Sequence, residues 1–253
     1  MSQSRINALV GAHVDAPLKE SSHMAETALI STAEGRFSAY VARPSVADGP
    51  AVVVIQEIFG VNSAMRKLTD QFADAGFLAI CPDLFWRIEP DIDITDQSEA
   101  EWKRAFELYN AFDVDAGVRD IAATITHIRQ DAACSGKVGV VGFCLGGLLA
   151  YLTATRTDAD AAVSYYGVGI DRYTAESDRL TAPLLLHIAE EDQFVPREAQ
   201  TLILAALNNH PQVRIHQYPG QDHAFARIGG DNYNAEAAET AWRRTVDLFK
   251  TAL

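Results

Sequence analysis

Three cysteines, Cys81, Cys134 and Cys144, are all that the 253 residues carry, and no two stand at CxxC spacing. They are too few and too scattered for a disulfide framework or a thiolate zinc site, and they fit a reducing cytoplasm. Basic residues are also short: 21 Lys plus Arg against 34 Asp plus Glu leave a formal charge of −13. The chain therefore lacks the basic bias of a nucleic-acid binder, no nucleic-acid partner is expected, and an anionic ligand needs locally placed arginine. Long apolar runs are missing as well. The one uncharged stretch of membrane-span length, residues 138–155, is interrupted by Gly139, Gly142, Gly146 and Gly147 and reads as a strand running into a helix, so no membrane partner is expected. The first thirty residues hold no apolar block of secretory length, which argues against export. No two of the seven histidines sit at the i, i+4 spacing of a helical zinc site, so neither a metal nor another cofactor is expected. Repeats and low-complexity tracts are absent too, and nothing in the patterning specifies an oligomeric state.

What is present is an ordinary globular composition, 48% hydrophobic and 22% charged with 16 Gly and 9 Pro. Residues 1–26 read as an N-terminal appendage to a single domain spanning 27–253. Arg36 to Ala42 alternates apolar and polar as a half-buried strand does, whereas Ala51 to Ile55 is continuously apolar like a strand covered on both faces. Asn62 to Gly76 opens on a capping residue, carries Met65, Leu68, Phe72 and Ala75 at helical spacing and closes on Gly. The rhythm repeats through FLAICP, a helix over Asp115 to Gln130, KVGVVGF, a helix after Leu145, AAVSYYG, APLLLHI, a helix near Arg197 to Asn208, RIHQY and a terminal helix. Such alternation predicts an α/β fold, a mostly parallel sheet with helices on both faces and functional groups beyond the carboxyl ends of its strands. The acidic piece from Trp86 to about Glu99 either shapes a pocket entrance or is a solvated loop.

After KVGVVGF comes Gly142-Phe143-Cys144-Leu145-Gly146-Gly147, a Gly-x-Cys-x-Gly turn between strand and helix. It has the shape of a hydrolase nucleophile elbow with Cys in place of Ser, where small neighbours two residues either side let the chain turn tightly. A thiol there sits by helix N-terminal amides, which favour a thiolate. An acid and a base should follow in chain order, and this chain supplies Asp192 in EEDQFVP and His223 in GQDHAF, both beyond strands. Glu190, Glu191 and Asp222 are rival carboxylates; Asp192 is favoured because it precedes the turn into the next helix. The other histidines lie in the appendage, on a helix, inside strands or in a turn.

The elbow GFCLGG at 142–147, together with IQEIFGVN at 55–62, CPDLFWR at 81–87, EEDQFVP at 190–196 and DHAFAR at 222–227, resembles the dienelactone hydrolase (carboxymethylenebutenolidase) family from about Arg36 to the C-terminus. The resemblance implies an α/β-hydrolase fold and cofactor-free opening of a small anionic enol-lactone, 4-carboxymethylenebut-2-en-4-olide, to maleylacetate in the degradation of aromatic compounds. It implies Cys144 as nucleophile, His223 as base, Asp192 as its orienting acid, and Glu57 as an acid that rests near the thiol and takes its proton when substrate displaces it. The backbone N–H groups of Ile58 and Leu145 match the oxyanion donors, and Arg87 and Arg227 match the arginines that hold the substrate carboxylate. Phe59, Phe225 and Trp86 would line the apolar part of the pocket, although core packing accounts for each equally well. Ala224 departs from the family pattern, which commonly has Ser after the histidine, and this bears on the substrate. A carboxylic ester hydrolase of other specificity is the nearest alternative. A non-catalytic binder or thiol sensor on the same elbow fits less well, because the Cys, Asp and His set is complete.

Overall fold

In the computed structural model, which describes residues 26–45 and 48–253, the alternating apolar runs become one eight-stranded sheet. The strands are β1 (Glu26–Thr32), β2 (Gly35–Ala42), β3 (Gly49–Ile55), β4 (Leu78–Pro82), β5 (Cys134–Phe143), β6 (Ala161–Tyr165), β7 (Leu184–Ala189) and β8 (Val213–Tyr218). Their order is β1-β2-β4-β3-β5-β6-β7-β8, with β1 and β2 antiparallel at one edge and every pair from β4 to β8 parallel. The helices are α1 (Ser63–Asp74), α2 (Glu99–Ala111), α3 (Val114–Arg129), α4 (Leu145–Arg156), α5 (Arg197–Leu207) and α6 (Ala235–Ala252), with a 3₁₀ segment at Ile170–Arg179. This is the α/β-hydrolase arrangement.

Local chemistry explains the boundaries. The Asn62 side chain accepts from the Met65 N–H to start α1, and its amide donates to the Ile94 carbonyl at 2.9 Å, which ties the loop before α2 to the end of β3. Two elements lie outside the alternation read from the sequence, β1 and α2. Ser98 and Glu101 open α2 with reciprocal bonds, Glu101 N–H to Ser98 Oγ at 3.3 Å and Ser98 Oγ to Glu101 at 2.7 Å, the S-x-x-E signature of a helix start. Residues 1–25 of the expected appendage lie outside the described residues.

The uncharged run 138–155 is now accounted for. It is the end of the central strand β5 followed by α4, whose residues from Leu145 to Thr155 are all buried, and a helix buried all round needs no polar face. No helix among the described residues is long and apolar enough to cross a membrane.

Two glycines set how closely α4 docks. A Cβ on Gly142 would stand 1.8 Å from the Gly146 carbonyl oxygen, and one on Gly146 would stand 2.5 Å from the Ile55 carbonyl oxygen. The first turn of α4 thus lies directly against the end of β3. Gly142→Ala should abolish folding or lower stability by about 4 kcal/mol or more, because backbone rather than a movable side chain blocks the methyl. Gly136→Ala, at φ +94 with nothing within 4 Å of the added methyl, should lose only about 1–2 kcal/mol from the left-handed conformation. Urea unfolding of the two variants checks the contrast, and equal losses would contradict it.

Candidate active site

Cys144 is the single residue between β5 and α4, and its backbone stands at φ 57, ψ −117, a conformation rare for a side-chain-bearing residue. The main chain around it holds it there. Its N–H donates to the Tyr165 carbonyl at 3.1 Å, and its carbonyl accepts from Gly147 at 3.0 Å, Val168 at 3.2 Å and Leu148 at 3.4 Å. The turn leaves the side chain at the carboxyl edge of the sheet, where Cys144 is 7% exposed.

Asp192 and His223 meet at the ends of β7 and β8. His223 Nδ1 lies 2.9 Å from Asp192 Oδ2 and 3.1 Å from Oδ1. Oδ1 also accepts from the Phe194 and Val195 N–H groups at 2.8 and 3.1 Å, so backbone amides fix the carboxylate before it fixes the ring. The rival acids are engaged elsewhere: Asp222 accepts from the Gln193 and His223 N–H groups, and Glu191 pairs with Arg197 at 2.7 Å. With Nδ1 bound to a carboxylate, Nε2 is left for chemistry. It is buried and makes no hydrogen bond of ordinary geometry, as catalytic contacts often do before substrate arrives.

Burial alone would push the His223 imidazole down, but the charge of an ionised Cys144, the hydrogen bonds to Asp192 and Cys144 and the Asp192 charge push it up to about 10. An imidazolium at this position can therefore hold a thiolate once one forms on Cys144. Cys81 differs: burial raises its thiol to about 12, which makes it inert. Tyr166 packs edge-on to the imidazole with centroids 5.0 Å apart, and Phe194 packs on the ring likewise at 4.9 Å.

Glu57 follows β3, held in place by Gln56, whose Oε1 accepts from the Leu84 N–H at 3.0 Å. Both Glu57 oxygens bind Arg227, at 2.6 and 3.1 Å, and the third arm of that guanidinium reaches Asp96 at 2.7 Å. Arg227 also lies over the Phe59 ring at 5.0 Å. The acidic loop before α2 therefore does help build the site, because it supplies Asp96, and the Trp102 indole N–H fixes the Asp96 carbonyl at 2.9 Å. The Ile58 and Leu145 N–H groups have no acceptor among the described residues; both are available to an oxyanion.

Four residues expected at the pocket are placed elsewhere. Arg87 pairs with Asp120 of α3 at 2.8 Å and with Glu34 of the β1–β2 turn at 2.7 Å, with its guanidinium 4.2 Å over Trp86. Trp86 in turn stacks on Phe37 and donates to Asp120 at 2.8 Å. Neither lines a cavity beside His223, because a buried carboxylate on α3 draws both toward that helix. Phe225 is fully buried against Tyr218 and Tyr166 as core beneath the imidazole. Phe59 is buried behind Arg227 and Trp102.

Two cavities share Arg227. The larger, about 770 Å³ between α1 and α6, touches Glu57 but not His223. The smaller, about 480 Å³, is bounded by His223, Ala224, Phe194, Trp102 and Phe106, and is the one of the two that the imidazole borders. The sequence reading missed Asp96, Trp102, Phe106, Phe194 and Tyr166. The unread S-x-x-E pattern at Ser98 was a signal that could have found α2, and with it Trp102 and Phe106.

The sequence profile of the dienelactone hydrolase family matches residues 37–253. The chain belongs to that family. A carboxymethylenebutenolidase of Pseudomonas putida is 39% identical over 84% of this chain and 90% of its own length. A protein of Azospirillum brasilense provisionally given the same name is 52% identical over 87% of this chain and 95% of its own. The crystal structure of a provisionally named dienelactone hydrolase from Klebsiella pneumoniae subsp. pneumoniae MGH 78578 superposes with a TM-score of 0.79 at 27% identity, covering 90% of this chain and 99% of that one. Membership makes this chain a hydrolase of ester or lactone bonds.

Because the folded pKa of His223 lies above the ordinary value near about 6.5, its protonation stabilises the fold fully below about 6.5, and that contribution is lost as pH rises through about 10. Cys144→Ala removes the thiolate and should lower the His223 pKa by about one unit or more. An NMR titration of the imidazole reads this directly, and an unchanged midpoint would assign the shift to Asp192 alone.

Proposed function

We propose that the chain cleaves esters and opens enol-lactones by acyl transfer to Cys144. The observation that carries this is the thiol held on the strained elbow, facing an imidazole whose other nitrogen is locked to Asp192 at 2.9 Å. Glu57, released from Arg227 as substrate enters, takes the thiol proton, the His223 imidazolium holds the resulting thiolate, and Sγ attacks the carbonyl carbon. The Ile58 and Leu145 N–H groups receive the oxyanion, the preorganised donor arrangement that is usually the largest contribution in acyl transfer. Collapse breaks the C–O bond, the leaving enolate or alkoxide takes the proton that His223 carries, and the imidazole is left neutral. Water, deprotonated by the same imidazole, then hydrolyses the thioester and frees the thiol. Glu57 must leave Arg227 to reach the thiol, so its part is a substrate-triggered proton acceptor.

Family membership and the names of the relatives support a finer reading, dienelactone opened to maleylacetate within the degradation of aromatic compounds. One observation favours a second reading, an ester hydrolase of different specificity: neither Arg87 nor Arg227 has a guanidinium free for a substrate carboxylate.

Intact-protein mass spectrometry with a slow activated ester should show one acyl adduct, located on Cys144 by peptide mapping and absent from Cys144→Ala, which should be inactive on cis- and trans-dienelactone alike. An adduct on Cys81 or Cys134 overturns the assignment. Glu57→Gln should lower kcat by about tenfold or more while thermal unfolding changes little, since the amide still bonds Arg227 but accepts no proton. Full activity in that variant removes Glu57 from the proton path.

A further inference from the structure

Of the two cavities that share Arg227, His223 borders the smaller and not the larger, whereas Glu57 borders the larger and not the smaller. His223 is the group that protonates the departing oxygen, so the leaving group lies on the imidazole side. With the carbonyl carbon at Cys144 and its oxygen on the Ile58 and Leu145 N–H groups, the acyl group points the other way, past Glu57. Phe143 and Glu57, the residues immediately before Cys144 and Ile58, both line the larger cavity. Its inner end therefore adjoins the elbow and the oxyanion donors.

That larger cavity is a deep and mainly apolar pocket. Its inner end is formed by the buried side chains of Phe143, Tyr166 and Glu57, and its walls by Met65 and Leu68 of α1 and Trp242 of α6. Trp242 packs on Phe72 with ring centroids 4.7 Å apart, so that wall is set before a ligand arrives. At the mouth Ile228 is 57% exposed and Tyr233 39%, two large apolar side chains left in water. The charged side chains Lys67, Asp74 and Glu239 also border the cavity and are exposed, so an apolar chain can pass beneath them without taking their charges out of water. At the inner end Glu57 and Arg227 are bonded to each other at 2.6 Å. When Glu57 leaves Arg227 to take the thiol proton, the partition between cavity and thiol moves with it, and room for an acyl chain opens in the step that makes the thiolate. A carboxylate elsewhere on the substrate remains free to take the place of Glu57 on Arg227. About 770 Å³ falls in the range of sites that take a small organic molecule.

We propose that the cavity between α1 and α6 is the acyl-group subsite, and that it extends the substrates of this chain to esters and lactones whose acyl part carries an apolar chain longer than that of dienelactone. The proposal rests on acyl transfer to Cys144 and names the acyl part that the same site takes. The covalent steps are those given above: the Sγ–acyl bond forms, the ester C–O bond breaks, the departing oxygen takes the proton that His223 carries, and water hydrolyses the thioester while the chain lies in the cavity.

The test follows kcat/KM of the full-length protein on 4-nitrophenyl acetate, butyrate and octanoate, which share one leaving group. In the wild type the value should rise along the series, by up to about fourfold for each methylene that becomes buried. Ala235→Trp, at an exposed lining position of α6, and Ile228→Asp, at the exposed lip, should each lower kcat/KM for the octanoate by about tenfold more than for the acetate. Phe106→Trp, which narrows the smaller cavity, should change all three esters by the same factor. Calorimetric binding of methyl octanoate to Cys144→Ala reads the subsite without chemistry and should weaken about tenfold when Ile228→Asp is added. A wild-type value that falls along the series, equal losses on all three esters in Ala235→Trp, or a loss confined to the octanoate in Phe106→Trp overturns the proposal. Cys144-dependent turnover with no dependence on chain length sinks this inference alone; methyl octanoate binding that depends on Ile228, with no Cys144-dependent turnover, sinks the catalytic reading alone.

Discussion

The constraint on which the site depends is the backbone of Cys144. A non-glycine residue held at φ 57, ψ −117 stores roughly 1–3 kcal/mol, and such strain persists only where its surroundings over-determine it. Here they do. The amide is bound to the end of β6, the carbonyl takes three donors, and the helix that follows is buried along its whole length. The same close approach that needs Gly146 brings α4 against the Ile55 and Gln56 carbonyls. The end of β3, with Glu57 and the Ile58 N–H, is therefore placed by the packing that places the thiol.

Charge around that point is arranged in two units that work differently. Asp192, His223 and Cys144 form a chain in which the groups beside a buried imidazole raise its pKa against the effect of burial. Glu57, Arg227 and Asp96 form a closed cluster in which each buried carboxylate answers to the same guanidinium. Removing one member of such a cluster strands the others, which ordinarily costs about 3–5 kcal/mol. The first unit is open toward substrate through Nε2, and the second is already satisfied. Arg227, the sole arginine or lysine among the described residues lining the cavity beside His223, is thus fully paired in a protein of net charge −13.

How much of this was legible follows from the range of the forces involved. The elbow could be read because Gly142, Cys144 and Gly146 are close in sequence and their spacing answers a backbone clash that any side chain would create. The strands could be read because β3 and β5 are buried on both faces and so are continuously apolar. Asp192 and His223 were legible as residues beyond strand ends. Arg87 was not, because its place is set by Asp120 and Glu34, 33 and 53 positions away in sequence. The same holds for Arg227, whose partners Glu57 and Asp96 lie 170 and 131 residues distant. Helix α2 escaped because it buries only Ala105 and Leu108, too thin a stripe to show a helical period, while its large aromatics Trp102 and Phe106 serve the cavity.

That division explains why family membership carries the chemistry further than the substrate. Cys144, the His223 imidazole and the Ile58 and Leu145 N–H groups are placed by main-chain geometry, by glycines at close approach and by amides that every residue owns. The cavity beside His223 is walled in part by α2 and the loop before it, which meet the core through few buried residues. A helix attached in this way can exchange polar for aromatic side chains without disturbing the strained turn below it. Here Trp102 and Phe106 share a cavity wall with Ala224 and the ion-paired Arg227, so that wall is built from side chains whereas the turn carrying Cys144 is fixed by main chain.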